Sequence, residues 1–588
     1  MGPMNIALWR TILRTLIASS LFILSGPLRL HAQASCDSTE NCLRLFTPPP
    51  RPYVRKDAAK MTAAEWASFS KGVERMMSIT DPSNPLYPLS WQYQANIHGG
   101  SSSVTPPPGA PWRCCRHSGW FFLPWHRMEL FYFERILRAM SGDDNLIVPY
   151  WNYTVPDSDP NWKTKRAIPT PFRTPKVGNP LYVAQRNTIA GPGCGINDGQ
   201  PLCYDVVSAE KAFPADKSKA RFWGPPITPD MLTFAGGVAD RHSAFGTKQG
   251  QIESQPHNPM HTTVGGKDGL LTSPVGAASD PIFWPIHANI DRAWYCWDKL
   301  YNRTGQYPPK NDTNDWWTAP FKFWDVEKTV TKGPDGKDLV TLKAKEVCLT
   351  GEQVVQTAVN LRYIYDSCDG LPPFPPGGAD AGDTSTAFPD TVEDQAPTLF
   401  ASVTAQSPVE LGAEATTVSF DLPLDVQLAI NSVLSATARD GAVVLNIEDI
   451  HISKPIGMYY WVYIDLPDEA ALDPAGPYYA GNLDFFGVGE HHHDEEVNGE
   501  TALGDSRSFD ITDNVRSLAA NGEWSPSKLS VTLSLPVESV TSDCSGGVCP
   551  KCPACILRFN PRSPAMVDEL VYFGQVSLDV VSWQSNPL

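Results

Sequence analysis

The stretch FLPWHRMELFYFERIL, Phe122 to Leu137, decides the fold of the N-terminal half of this chain. Apolar side chains recur from His126 at i+4, i+7 and i+11, a spacing that places them all on one face of an α-helix. Pro124 and Trp125 come directly before His126, and we expect the helix to begin at His126. The histidine therefore shares the buried face of the helix, which is where helical bundles build metal sites.

A second stretch, PHNPMH at Pro256 to His261, has the histidine spacing of a metal site. His257 and His261 are four residues apart, so on a helix starting at Pro256 both imidazoles lie on one face and can share a metal ion. His287 opens a further helical segment, in which Asp291 is four residues on and therefore on the same face. We expect the carboxylate of Asp291 to orient the imidazole of His287.

Two more histidines complete a first group of three with His126. His117 lies nine residues before it, and His98 ends a segment that stops at two glycines. We therefore predict four helices that present histidines inward, in two groups: His98, His117 and His126; and His257, His261 and His287. Any one of these histidines taken alone is more simply an ordinary core or surface residue, and we assign such a structural role to His242.

The ligand set favours copper over zinc. Zinc hydrolases prefer mixed ligands, whereas two sites of three imidazoles each, with open positions, suit a pair of copper ions that act on O2 between them. The sequence therefore predicts two copper ions as cofactors and O2 as a co-substrate.

The bulk properties fit a large globular protein with several domains. A length of 588 residues predicts two or three domains, and 42% hydrophobic residues are enough for sizeable cores. The formal net charge of −17 argues against nucleic acid as a partner, because an acidic surface repels phosphate.

The N-terminus has the pattern of a secretory signal peptide over residues 1–34. Two arginines precede an apolar run at 16–24, and the run ends before an Ala-Gln-Ala cleavage pattern; the run is too short for the alternative, a membrane anchor. We expect a mature protein of the secretory pathway, extracellular or vacuolar and not in a membrane, with most of its 13 cysteines in disulfides. Three sequons are candidate glycosylation sites: Asn152, Asn302 and Asn311.

We divide the mature chain into four segments. Residues 35–312 carry the histidines and form a mainly α catalytic domain with a four-helix bundle around the metal site. Residues 313–370 are a small β-rich middle domain, and residues 371–398 are a linker rich in Pro, Gly and Asp. Residues 399–588 alternate as strands between turns, which predicts an all-β C-terminal sandwich.

The histidine segments resemble the type-3 copper family of tyrosinases and catechol oxidases, with the most specific matches at 122–127, 256–261 and 280–291. The segments DWW at 315–317, FKFWD at 321–325 and, more loosely, 459–467 and 479–482 are similar to plant polyphenol oxidases. This resemblance implies that His98, His117 and His126 bind copper A, and that the other three bind copper B. Phe122 and Phe283 are expected to pack near the coppers.

The same resemblance implies a function and a form of control. It predicts oxidation of small phenols to quinones, with the C-terminal domain covering the active site as an intramolecular inhibitor until the linker is cleaved. In the family, a Glu and an Asn hold a water that can act as base towards monophenols; Glu253 and Asn258 match these positions. The position that often carries a bulky gate is Pro274 here, and a small residue there would open the site. Both features favour tyrosinase activity; catechol oxidase without monophenolase activity and a hemocyanin-like oxygen carrier are the alternatives.

The chain departs from the plant pattern around its second ligand. Plant members carry a cysteine four residues after the first copper A ligand, where this chain has Ser102. Cys115 instead stands two residues before His117, which resembles the fungal pattern of a Cys–His thioether. The alternative is that Cys115 forms a disulfide with Cys36 or Cys42.

Two further clusters have alternative readings. Cys549, Cys552 and Cys555 fit either disulfides or thiolate metal binding, and His491 to His493 fit either a solvated loop or metal capture. In each pair we favour the first reading.

Overall fold

The computed structural model describes residues 36, 47–101, 103–187, 195–214, 220–223, 233–236, 249–301, 307–308, 315–372, 398–435, 441–488, 505–536 and 571–582. Several predictions lie outside these residues: the signal peptide, His242, the sequons at Asn302 and Asn311, most of the linker, the cysteines at 549–555 and the histidines at 491–493. Within the described part, no helix is both long enough and apolar enough to cross a bilayer.

Helices dominate the part of the chain that carries the histidines. The α-helices are α1 Ala63–Met77, α2 Trp91–His98, α3 Phe122–Ser141, α4 Trp162–Arg166, α5 Thr170–Arg173, α6 Tyr204–Val207, α7 Asn258–Gly265, α8 Pro274–Ala277, α9 Phe283–Tyr301, α10 Gly351–Val354, α11 Leu424–Ser435 and α12 Thr512–Asn521. Single turns lie at Ala58–Lys60, Tyr87–Leu89, Ile196–Asp198, Glu253–His257, Leu270–Thr272 and Thr357–Leu361.

The ends of the main helices follow from local sequence. A capping box between Thr62 and Glu65 begins α1, and the hydroxyl of Ser90 caps the start of α2. Helix α3 ends at Gly142, whose φ of 76° is the left-handed conformation that glycine adopts without strain. Helices α3 and α9 pack closely, with the rings of Phe133 and Trp284 stacked at a centroid distance of 3.4 Å.

The strands that the structure describes form four separate sheets. They are β1 Tyr53–Arg55, β2 Phe321–Lys332, β3 Asp338–Leu349, β4 Tyr363–Tyr365, β5 Thr398–Leu411, β6 Thr416–Asp421, β7 Gly441–Ile452, β8 Tyr460–Ile464, β9 Tyr479–Leu483, β10 Asp505–Asp510, β11 Lys528–Ser534 and β12 Val571–Ser582. Strands β1 and β4 pair in parallel, and β2 and β3 form an antiparallel hairpin whose buried base packs on α3.

The C-terminal unit is built from two four-stranded sheets. Their strand orders are β10-β7-β12-β5 and β6-β11-β8-β9, and the strand pairs within both are antiparallel. Helices α11 and α12 belong to this unit as well, so the expectation of an all-β sandwich was wrong in that detail. The predicted fold class, a helical catalytic domain followed by β-rich parts, is confirmed.

Among the residues that the structure describes, disulfides join Cys36 to Cys114 and Cys296 to Cys368. Because Cys36 pairs with Cys114, the alternative disulfide between Cys36 and Cys115 is wrong.

The prediction of a glycan at Asn152 was also wrong. Its side chain is buried, its Nδ2 donates to the carbonyl of Asp369 at 3.1 Å, and its Oδ1 accepts from Arg292 at 3.2 Å. A glycan needs an exposed asparagine, and this one is part of the core.

Candidate metal centre

Four helices bring the six predicted histidines together at the centre of the helical unit. His98 is the last residue of α2, His126 lies in the second turn of α3, and His287 lies in the second turn of α9. His261 is in α7, and His257 is the residue at which α7 is capped. His117 lies between α2 and α3, so five of the six positions are on or at the end of a helix.

The histidines form two buried groups of three. In each group one ring nitrogen per residue lies within 4.8 Å of the others, and these are the two groups that the spacing predicted. The groups face each other: the rings of His126 and His287 stack at 4.7 Å with an angle of 13° between them.

The backbone fixes which nitrogen of each ring faces the centre. Nδ1 of His98 donates to the carbonyl of Pro274 at 3.1 Å, Nδ1 of His126 to Phe122 at 2.8 Å, and Nδ1 of His261 to Leu271 at 3.1 Å. The opposite nitrogen, Nε2, of these rings then carries a lone pair. Within the described part of the chain, Nε2 of His98 and of His126 is buried without a hydrogen-bond partner.

These buried lone pairs fit a metal ion. Nε2 of His261 lies 3.3 Å from Nε2 of His287, so two further nitrogens converge on one point. Burial lowers the pKa of His98 to about 4 and the pKa of His257 to about 3, so both rings are neutral at physiological pH, as a metal ligand must be. Six imidazoles with no carboxylate among them suit copper.

Two phenylalanines line the centre, as expected. The ring of Phe283 lies 4.1 Å from that of His287 and 4.9 Å from that of His98. The ring of Phe122 lies 4.7 Å from that of His126 and 4.8 Å from that of His257. Both side chains are buried and exclude water from the sides of the site.

The role expected of Asp291 was wrong. Nδ1 of His287 has no hydrogen-bond partner in the described chain, and the carboxylate of Asp291 instead accepts from two arginines and two tyrosines. These donors are Arg55, Arg127, Tyr363 and Tyr365. Asp291 thus links α3 and α9 to the pair β1–β4, and the arginines hold the pKa of its carboxyl below the usual range against the effect of burial.

Glu253 and Asn258 are both buried beside the second triad, but in separate contacts. Both carboxylate oxygens of Glu253 accept from the backbone N–H of Ser118, at 2.8 and 2.9 Å. Burial raises the pKa of Glu253 to about 8. Asn258 Oδ1 accepts from Nδ1 of His257 at 2.8 Å, and its Nδ2 donates to Oε1 of Gln249 at 3.0 Å.

Pro274 is buried at the start of α8, where its carbonyl orients His98. The approach of this turn to α2 is so close that a Cβ on Gly99 would lie 2.1 Å from that carbonyl oxygen. Cys115 is buried two residues before His117, and its neighbour Cys114 takes the disulfide with Cys36.

A residue of the C-terminal unit lies against the histidines, and the sequence analysis did not predict it. The ring of Phe486 stacks on that of His261 at 4.4 Å and 24°, and it lies 5.6 Å from the ring of His257 and 5.8 Å from that of His117. Asp484 Oδ1 accepts from the backbone N–H of Phe486, and Arg507 donates to the carbonyl of Phe486 at 3.0 Å. Nothing in the local sequence marks this phenylalanine among 24.

Residues 88–300, which contain all six histidines, match the family model described as the common central domain of tyrosinase. The helical part of the chain therefore contains a region similar to the tyrosinase central domain. The cofactor of this family is a pair of copper ions, and its members are copper-dependent oxidoreductases. Residues 399–545 match a second family model, for a domain of unknown function.

Relatives of the tyrosinase family match different lengths of the chain. A tyrosinase from a Hahella species is 34% identical over 290 residues, which are 44% of this chain and 55% of that protein. The polyphenol oxidase A1 of Vicia faba is 28% identical and matches 48% of this chain and 45% of its own length. The chain thus spans about half the length of these two relatives. The polyphenol oxidase of Malus domestica is 26% identical over 484 residues, which are 78% of this chain and 72% of that one.

Two solved structures share the whole architecture. A latent aurone synthase from a natural source has a TM-score of 0.54 with 19% identity and covers 94% of both chains. The latent apple tyrosinase has a TM-score of 0.51 with 18% identity, covering 92% of this chain and 99% of that one. At this identity the likeness establishes the fold.

Proposed function

We propose that this chain is a latent dicopper polyphenol oxidase that oxidises o-diphenols to o-quinones with O2 and also hydroxylates monophenols. The observation that carries the proposal is the pair of buried histidine triads that face each other across one centre. His98, His117 and His126 would hold copper A, and His257, His261 and His287 would hold copper B.

The reaction balances with O2 as the oxidant. Each o-diphenol gives up two electrons and two protons and leaves as a quinone, so one O2 is reduced to two waters for every two diphenols. Bound copper ions would supply the reversible one-electron redox chemistry that lets O2 react with a phenol. The residues of the chain hold the metals, exclude water and place the substrate ring.

The contacts of Phe486 suggest where that ring binds. The ring of Phe486 already stacks on that of His261, a member of the second triad. A phenol in the same place would lie against the same imidazole, with Phe283 closing the other side of the centre. We infer that substrate and Phe486 compete for one position.

Hydroxylation of a monophenol requires removal of the phenolic proton, whose pKa is near 10. Glu253 is the candidate base, acting directly or through a water that it holds with Asn258. Its carboxylate is held in place by the N–H of Ser118, and burial raises its pKa towards that of the phenol that it would deprotonate. The small side chain of Pro274 at the gate position agrees with a site open to monophenols.

Latency would follow from the way the C-terminal unit is held. Nε1 of Trp461 donates to the carboxylate of Asp205 at 3.0 Å, and Nδ2 of Asn482 donates to the carbonyl of the same residue at 2.9 Å. Nζ of Lys211 donates to the carbonyl of Ala480 at 2.7 Å. These contacts would keep Phe486 in place until the linker at 371–398 is cut.

Two finer assignments belong to the same proposal. We propose a thioether between Sγ of Cys115 and a ring carbon of His117, which would fix the ring of that ligand. Its formation removes two electrons and two protons from the thiol and the ring C–H, and O2, the co-substrate of the proposed reaction, would accept them. We also propose a mature protein of the secretory pathway, although the plant relatives are named as chloroplastic.

The test measures oxygen uptake and quinone absorbance of the copper-loaded chain with 4-methylcatechol and, separately, with tyramine, before and after limited proteolysis. Turnover of both substrates that rises on proteolysis is the expected result. Turnover of the catechol alone would make the protein a catechol oxidase. Reversible O2 binding without turnover, even after proteolysis, would make it an oxygen carrier.

A further inference from the structure

The orientation of His257 depends on a side chain rather than on the backbone. His98, His126 and His261 each donate Nδ1–H to a carbonyl of the main chain, whereas His257 donates to Oδ1 of Asn258 at 2.8 Å. A main-chain carbonyl has a fixed direction, but a carboxamide can turn over and present its NH2 group instead. The orientation of the His257 ring therefore depends on the orientation of the Asn258 amide.

Gln249 fixes that amide. Oε1 of Gln249 accepts from Nδ2 of Asn258 at 3.0 Å, which holds the NH2 group away from His257 and leaves Oδ1 facing the imidazole. All three side chains are buried, so water does not compete for these hydrogen bonds. With Nδ1 of His257 occupied by its proton, Nε2 is the nitrogen left to bind the metal.

Gln249 is itself held in place by the main chain around it. It forms a β-bridge with Gly236, and the next residues continue the contact, with the N–H of Gln251 donating to the carbonyl of Thr233 at 2.8 Å. The backbones approach so closely that a Cβ on Gly250 would lie 2.4 Å from the main chain of residues 234–236. The side chain of Gln249, which supplies the acceptor, therefore extends from a backbone that is held in place.

We propose that Gln249 is a positioning residue of the copper B site, which holds His257 in its metal-binding orientation through the amide of Asn258. The inference rests on the proposed function in one respect, that His257 is a copper ligand. It adds a residue eight positions before that ligand, outside the histidine pattern.

The test compares two substitutions of similar size. Gln249→Glu keeps an oxygen that accepts from Asn258, whereas Gln249→Met fills the same space without an acceptor. We expect Gln249→Met to release copper B to a chelator about tenfold faster than the wild-type chain, as for other residues that orient a metal-bound histidine. Gln249→Glu should stay within about twofold of wild type, since its acceptor is retained. The His98→Asn variant, which lacks a copper A ligand, identifies the kinetic phase that belongs to copper B.

A second pair of measurements separates positioning from simple damage to the fold. In an Asn258→Ala background, Gln249→Met should cause no further change in copper release, because the link to His257 is already gone. The melting temperature of the metal-free Gln249→Met chain should match that of the Gln249→Glu chain. Wild-type release rates in Gln249→Met, or an equal effect in the Asn258→Ala background, would overturn the inference while leaving the proposed function intact. A wild-type chain that binds no copper would overturn both.

Discussion

Replacing Phe486 with alanine should turn the intact chain into an active oxidase without proteolysis. The ring of Phe486 lies on the second histidine triad, stacked on His261 at 4.4 Å, in the place where we expect the substrate ring to bind. Alanine leaves the polypeptide chain whole and the C-terminal unit in position, but it removes the group that occupies the site.

The size of the effect follows from what the side chain contributes. Burying a phenylalanine is worth about 1.5–3 kcal/mol, and a well-placed aromatic pair adds about 0.5–1.5 kcal/mol. A loss of about 2–4 kcal/mol would shift the balance between covered and open sites by about 30- to 1,000-fold. The gain in activity has the activity of the fully cleaved enzyme as its ceiling.

The assay is oxygen uptake by the intact chain with 4-methylcatechol, and gel electrophoresis confirms that the chain is uncut. Phe485→Ala is the matched control, because Phe485 is also buried but packs against Tyr460 within the C-terminal unit, at 6.1 Å and 90°. We expect Phe486→Ala to be active and Phe485→Ala to stay latent. Equal activation by both variants would mean that loosening of the C-terminal unit relieves inhibition. It would refute the assignment of Phe486 as the residue that blocks the site.

Three further predictions concern buried acids. Asp291→Ala should cost about 3–5 kcal/mol and lower the melting temperature, because it leaves Arg127 buried without its carboxylate partner and Arg55 with Glu134 alone; unchanged melting would contradict this. Burial raises the pKa of Asp298 from 3.8 to about 7. Between about pH 4 and pH 7 the folded chain therefore holds a proton that the unfolded chain releases, and the stability that this proton contributes is lost as the pH rises through that range. The free energy of unfolding, measured at pH 5 and at pH 8, should therefore fall less for Asp298→Asn than for the wild-type chain. We expect the two falls to differ by on the order of 2–4 kcal/mol, and equal falls would refute the assignment. Glu253→Gln should lower tyramine hydroxylation by about 100-fold or more while leaving 4-methylcatechol oxidation within a few-fold, and a parallel loss of both activities would remove its role as base.

The histidine triads could be predicted from sequence because their geometry is local. An interval of four residues on a helix places His257 and His261 on one face whatever surrounds them, and their rings lie 4.5 Å apart. The apolar stripe after His126 likewise predicted the buried face of α3, although the helix begins at Phe122, four residues before His126, where its start was expected. The periodicity of apolar residues predicted the buried face of the helix correctly, but it did not predict the residue at which the helix begins.

The partners of Asp291 and the position of Phe486 against the second triad could not be predicted, because both depend on contacts between distant parts of the chain. Arg55 and Asp291 are 236 residues apart in the sequence, and no pattern in either segment predicts that they pair. Phe486 lies on a strand-to-turn segment of a unit whose placement is decided by contacts such as Trp461 to Asp205. Spacing rules describe one helix or strand at a time and carry no information on such contacts.

The copper content of the chain decides whether each histidine triad holds one copper ion. The metal-to-protein ratio would be measured after copper loading and dialysis for the wild-type chain, for His98→Asn and for His261→Asn. We expect two copper ions per wild-type chain and one for each variant, since each substitution removes a ligand from a different triad. One copper in the wild-type chain, or two in both variants, would contradict it.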